Sequence, residues 1–325
     1  MLKSVLFFAI GLVLLIKGGD WFVDGATGIA KRFRLPDIVV GATVVSIGTT
    51  LPEVMVSTTG ALAGSGAMAY GNAIGSIICN TALIAAISIT VNPGPVNVKS
   101  MKTPAIFFFG AAAIYCVASY VLGQFPRWLG FIMLTVFVIY MITTVRNGLK
   151  NPDAAAEEEE EEESKDKPLW MELLLLVVGA AVIAVGADLL VDHGQIIARE
   201  LGVPETVVAL LFVALGTSLP ELVTTLTSLK KGRASLGVGN VIGANVFNLV
   251  LVSGVAVSLA PFEVPCQNFL LNTGLNMSLV LEIPVMLGVM SLMTIPALLT
   301  KKLHRWQGVA LLCIYAAFCV CQFVL

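Results

Sequence analysis

Two short stretches carry the residues with chemistry to offer. Val45-Ser46-Ile47-Gly48-Thr49-Thr50-Leu51-Pro52-Glu53 sets a glycine, hydroxyls, a proline and a carboxylate inside an apolar run. Val213-Ala214-Leu215-Gly216-Thr217-Ser218-Leu219-Pro220-Glu221 repeats it at an offset of 168 residues. A proline inside a helix has no N–H for the carbonyl four residues earlier. Pro52 is therefore expected to release the carbonyl of Gly48, and Pro220 that of Gly216. Thr49, Thr50, Thr217 and Ser218 add neutral oxygens, and Glu53 and Glu221 add charge. Carboxylates, carbonyls and hydroxyls together suit a hard cation, Ca²⁺ or Na⁺, rather than zinc or copper. A carboxylate at the centre of an apolar span costs on the order of a few kcal/mol, so two related ones point to function rather than packing.

A second pattern follows each motif. Asn72, Ser76 and Asn80 recur every four residues and share one helix face, with Asn240, Ala244 and Asn248 on the matching stripe. Gly71 and Gly75, like Gly239 and Gly243, are spaced for close helix packing. The same offset links Asp20 to Asp188, Asp24 to Asp192 and Pro36 to Pro204, and sixteen of the 45 positions from Pro36 to Asn80 are identical in the second copy. This is an internal duplication. The four aspartates read as structural or vestibule residues, with Lys17 within helical reach of Asp20. Glu282 reads as an interfacial residue, and His193 and His304 have no partner suggesting catalysis.

The elements that must position these residues are apolar spans. The chain has 325 residues, 57% hydrophobic and 12% charged, with a mean hydropathy of +0.93, which is the composition of a polytopic membrane protein. Spans are expected at about 3–31, 36–61, 68–91, 103–122, 126–146, 169–198, 204–229, 234–259, 281–300 and 306–325. An odd number per copy inverts the second copy in the membrane. The expected fold is an all-α polytopic membrane protein: ten transmembrane helices as two inverted five-helix repeats, with broken helices 2 and 7. Its parts are residues 1–148, an acidic linker 149–168, and residues 169–325. Met1 to Ile16 reads as the first span rather than a signal peptide.

Basic residues cluster in alternate loops, which puts both termini outside and the linker in the cytoplasm. The acidic run Glu157 to Glu163 argues against nucleic-acid binding. It reads as a solvated tether or, alternatively, a weak cation-attracting surface. The six cysteines, without metal-ligand spacing, read as small apolar residues.

With these motifs the chain resembles the cation/calcium antiporter superfamily, specifically the bacterial sodium/calcium exchanger family. The resemblance rests on a duplicated Gly-Thr-Ser/Thr-Leu-Pro-Glu segment followed by Gly-Asn-x-Ile-Gly-x-x-x-x-Asn. It implies a central site between spans two, three, seven and eight, with spans one and six moving against that core. The implied ligands are Glu53, Glu221, Thr49, Thr50, Thr217, Ser218, Ser76, Asn80 and Asn248, with the carbonyls of Ser46 and Ala214. Against the family pattern, Asn248 stands where some members carry Asp, Ala244 replaces a frequent serine, and Ile77 stands where asparagine is common.

The expected function is secondary antiport of Ca²⁺ against Na⁺ by alternating access. A proton/calcium antiporter of the same fold is the alternative, and a cation channel follows behind it. Without a phosphate-binding loop, ATP is not expected to drive transport. An enzyme is not expected, since no nucleophile–histidine pair or metal triad is present. No cofactor is implied, the ions being cargo. The lipid bilayer of a bacterial inner membrane is the expected setting, and a monomer suffices.

Overall fold

The computed structural model describes residues 2–150, 168–201, 216–265 and 276–324. Ten helical elements follow in order: α1 (Leu2–Phe33), α2 (Asp37–Leu62), α3 (Gly66–Val91), α4 (Val98–Leu122), α5 (Arg127–Leu149), α6 (Leu169–Glu200), α7 (Leu219–Lys230), α8 (Ala234–Leu259), α9 (Ser278–Thr300) and α10 (Arg305–Val324). Among the described residues, nine helices are long and apolar enough to cross a membrane, all of these except α7. The acidic run, Cys266 and Ala214 lie outside the described residues, as does the first part of the expected seventh span.

Burial sorts the helices into a centre and a rim. In α8, α3 and α2 most of the apolar stretch is inside the protein, 83%, 72% and 61%, against 17% in α10 and 22% in α6. The rim faces are apolar and exposed, with Leu6, Val13, Ile132, Ile142, Leu174, Val177 and Val309 facing out. Exposed Trp128, Trp170 and Trp306 each open a helix, α5, α6 and α10, as in the aromatic belts of membrane proteins. The protein is an all-helical membrane protein.

α1 and α6 pack antiparallel along their length through glycines. A methyl group added at Gly11 would lie 2.9 Å from the Leu190 nitrogen, and one at Gly18 2.9 Å from the Ile183 nitrogen. The reverse contacts set Gly186 against Leu15 and Gly179 against Phe22. Two short antiparallel ladders close the ends of the bundle. β1 (Gly94–Pro95) pairs with β4 (Lys302–Leu303), and β2 (Gln124–Phe125) with β3 (Phe262–Glu263).

The helices are interrupted by π turns, at Gly41–Val45 in α2, Asn80–Ala85 in α3, Val117–Leu122 in α4, Asn248–Val252 in α8 and Ser278–Glu282 in α9. Such turns widen the ladder and free carbonyls, which need other partners. Ser46 donates its hydroxyl to the Gly41 carbonyl at 2.8 Å, Ser253 to that of Asn248 at 2.9 Å, and Tyr140 to that of Ala42 at 2.7 Å. The break expected at Gly48–Pro52 is not seen in this copy, because Ser46–Leu62 stays helical through Pro52. The irregularity lies one turn upstream, where serine and tyrosine hydroxyls satisfy the loosened backbone. In the second copy Gly216 to Ser218 form a turn, and α7 begins at Leu219 with Pro220 in its first turn.

Candidate functional site

The site is built where the two copies cross. α2 and α8 touch backbone to backbone: a methyl on Gly239 would collide with Ile38, and one on Gly243 with Ala42 and the Ser46 hydroxyl. Only glycine permits that approach. It brings the Thr49, Thr50 and Glu53 face of α2 against the Asn240 and Asn248 face of α8. α3 adds Ser76 and Asn80, and α7 with the turn before it adds Thr217, Ser218 and Glu221.

Of the expected ligands, Glu53, Glu221, Thr49, Thr50, Ser218, Ser76, Asn80, Asn248 and Ser46 are all buried. Thr217 is half-buried, and Ala214 lies outside the described residues. Glu53 and Glu221 are both 0% exposed, and neither carboxylate accepts a protein hydrogen bond. They are close enough to interact electrostatically. The Thr49 and Thr50 hydroxyls face Glu221 across the boundary between copies. Thr50 Oγ1, Ser218 Oγ, Asn248 Oδ1 and both amide atoms of Asn80 are also buried without a partner.

A buried carboxylate without a counter-charge is strongly unfavourable, and buried polar groups are normally paired. So many acceptors in one place fit a cation. Ser218 and Glu221 sit at the N-cap and third positions of α7, where Ser-x-x-Glu commonly forms a capping box. No such cap forms, so the bland use of these two residues does not apply.

Two of the hydroxyls, those of Thr49 and Thr217, are bonded to asparagines. Thr49 Oγ1 donates to Asn240 Oδ1 at 3.1 Å, and Thr217 Oγ1 to Asn72 Oδ1 at 3.3 Å. A hydroxyl whose proton is engaged keeps its lone pairs for a cation. Asn248 Nδ2 donates to the Ala244 carbonyl at 3.0 Å, which likewise leaves Oδ1 as an acceptor. Among the described residues no group of three or more His, Cys, Asp or Glu side chains could hold a metal.

The aspartates lie elsewhere. Asp24 is paired with Lys231 at 2.6 Å, and Asp20 stands 3.8 Å from the same ammonium, which also donates to the Asp20 carbonyl. Lys231 rather than Lys17 is thus their partner. Arg233 pairs with buried Asp37 at 3.2 Å, and Arg32 with Glu172 at 3.1 Å. His193 stacks on Phe7, while His304 reaches the Thr300 hydroxyl. Sequence reasoning placed Asn72 and Asn240 on the site wall without seeing that they bind the threonines. The signal was their identity in both copies.

The fold is a membrane bundle with buried, unpartnered oxygens where its helices cross. The comparisons name the family. The family model described as sodium/calcium exchanger protein matches residues 3–146 and 171–324, and the chain belongs to that family. It is 32% identical over 317 residues to the uncharacterized membrane protein MJ0091 of Methanocaldococcus jannaschii, covering 97% of this chain and 96% of that protein. The sodium/calcium exchanger MaX1 of Methanosarcina acetivorans is 29% identical over 354 residues, with 98% of each chain covered. Among solved structures, the sodium-calcium exchanger NCX_Mj soaked with 2.5 mM Na⁺ and 0.1 mM Sr²⁺ superposes with a TM-score of 0.79 at 31% identity, covering 100% of this chain and 99% of that one.

Proposed function

We propose that this protein exchanges Ca²⁺ for Na⁺ by alternating access at one central site. The ligands are Glu53, Glu221, Thr49, Thr50, Thr217, Ser218, Ser76, Asn80 and Asn248, with the carbonyls of Ser46 and Ala214. The observation that carries the reading is the pair of fully buried glutamates with no hydrogen-bond donor on either carboxylate. Two ionised carboxylates are costly to enclose without a counter-charge. Ca²⁺ supplies that charge, as do sodium ions. A site that reorients only when neutralised ties the exit of one cation to the entry of the other. No ATP enters such a cycle.

In this reading the architecture is two inverted five-helix repeats, residues 1–148 and 169–325, joined by a cytoplasmic linker at 149–168, with both termini outside a bacterial inner membrane. Four correspondences at the 168-residue offset support it. The Gly11 to Leu190 contact matches Gly179 to Phe22, and Gly18 to Ile183 matches Gly186 to Leu15. The Thr49–Asn240 bond matches Thr217–Asn72. π turns start at both Asn80 and Asn248. Exchanging the halves also swaps the two ladders, since β1 and β3 follow the third helix of each half while β2 and β4 follow the fourth. Pro52 lies inside a helix that stays continuous from Ser46 to Leu62 and lacks the N–H that would bond the Gly48 carbonyl, while Pro220 sits in the first turn of helix seven. A single chain holds the whole site, so a monomer suffices.

Protons are the second candidate for coupling, because two carboxylates take up two protons as readily as they bind Ca²⁺. The test is ⁴⁵Ca²⁺ uptake into proteoliposomes loaded with Na⁺ and diluted into Na⁺-free buffer, beside vesicles carrying only a pH gradient. Uptake driven by sodium supports the reading. Uptake driven only by the pH gradient makes the protein a proton/calcium antiporter, and uptake needing no counter-ion makes it a channel.

A further inference from the structure

We infer that Asn72 and Asn240 are the positioning residues of the site: each holds a threonine of the opposite copy so that its oxygen, not its proton, faces the ion. The inference rests on the cation site proposed above and extends it to residues that do not touch cargo. Asn240 is 0% exposed, and its Oδ1 accepts from Thr49 Oγ1 at 3.1 Å. Asn72 Oδ1 accepts from Thr217 Oγ1 at 3.3 Å, while its Nδ2 donates to Ser57 Oγ at 2.8 Å and to the Glu53 carbonyl at 3.3 Å. Asn72 therefore joins the backbone of one glutamate to a hydroxyl of the other copy.

The chemistry follows from the hydroxyl inventory. A threonine hydroxyl has one proton and two lone pairs. Left free beside Glu53 or Glu221, it is able to donate to a carboxylate, cancelling an acceptor the cation needs. The Thr49 and Thr50 hydroxyls lie near the Glu221 carboxylate, but Thr49 Oγ1 is directed at Asn240 Oδ1 at 3.1 Å, and neither Glu221 oxygen meets a donor in hydrogen-bonding geometry. The asparagine thus keeps the hydroxyl and the carboxylate from satisfying each other, and the ion becomes their common partner. Both bonds cross between copies, so ligand orientation depends on the two halves staying in register.

The arrangement is not fully symmetric. The position matching Ser57 is Thr225, whose hydroxyl is buried without a partner, as is Asn240 Nδ2. Asn72 is held by its amide nitrogen and Asn240 is not.

The test is a double-mutant cycle on the whole protein in proteoliposomes, reading the half-saturating ⁴⁵Ca²⁺ and Na⁺ concentrations and the saturated rate. Asn72→Ala and Thr217→Val each raise half-saturation by about tenfold, the scale of a lost hydrogen bond to a charged group. The saturated rate falls far less. Asn72→Ala combined with Thr217→Val is no worse than either alone, because Asn72 acts through Thr217. Asn240→Ala with Thr49→Val behaves the same way, whereas Asn72→Ala with Thr49→Val multiplies. Additive effects within the bonded pairs would overturn the inference, as would loss of saturated rate at unchanged half-saturation. If Asn72→Ala does not fold, the Asn240 cycle and Thr217→Val, which keeps side-chain shape, carry the test. A parent protein that does not exchange Ca²⁺ refutes the cation-site reading itself. An exchanging parent with additive cycles refutes only the asparagine role.

Discussion

The two copies of the motif have nearly the same sequence and different backbones. Thr49, Thr50 and Glu53 lie inside a helix that runs from Ser46 to Leu62, with Pro52 embedded in it. Thr217 and Ser218 lie in a turn, and Glu221 is in the first turn of α7 with Pro220 beside it. Both carboxylates nonetheless end fully buried and without donors. The side-chain chemistry is shared, and the local backbone is what each half does differently.

The largest expected effect tests what is shared. Glu53→Gln and Glu221→Gln should each abolish ⁴⁵Ca²⁺ exchange while leaving the purified protein folded, read by vesicle flux and thermal unfolding. Transport surviving either substitution would break the equivalence of the copies.

A second prediction concerns one end of the molecule only. Arg233 and Asp37 form a pair that is 13% and 3% exposed, and the counterpart of Arg233 is Ser65. Removing one partner of a buried pair costs about 3–5 kcal/mol. Lys231 and Asp24 are 28% and 44% exposed, and such pairs contribute about 0–1 kcal/mol. Arg233→Ala should therefore lower the melting temperature clearly more than Lys231→Ala. Equal losses would contradict this ranking.

Proline separates the copies next. An internal helix proline costs about 3 kcal/mol relative to alanine, whereas one in the first turn is tolerated. Pro52→Ala should raise thermal stability and weaken Ca²⁺ affinity by returning an N–H to the Gly48 carbonyl. Pro220→Ala should change stability little.

The smallest effect sharpens what is symmetric. Gly64 and Gly232, equivalent by the offset, have φ of +82° and +72° in the turns before α3 and α8, with open space around each. Alanine at either should cost about 1–2 kcal/mol through the left-handed backbone alone. Matched losses in melting temperature are expected.

Much of this was legible in the sequence because the duplication states it twice. Glu53 and Glu221 stood out as carboxylates in apolar runs, and the helix pattern followed from length and hydropathy. Asn72 and Asn240 were legible as members of a polar stripe but not as partners of Thr217 and Thr49, because that contact joins residues 145 and 191 positions apart. The π turns were also missed: their ladder is completed by Ser46, Ser253 and Tyr140, and no helical periodicity announces that. The break expected at Pro52 failed for a related reason. Proline removes one donor, but the surrounding helices of a packed membrane core keep the backbone helical.

The most direct measurement is equilibrium ⁴⁵Ca²⁺ binding to the purified protein against rising Na⁺, in the parent and in Glu53→Gln and Glu221→Gln. The account predicts binding that Na⁺ displaces competitively and that either substitution removes. Ca²⁺ binding that persists in both variants, or that Na⁺ leaves untouched, would contradict a shared central site.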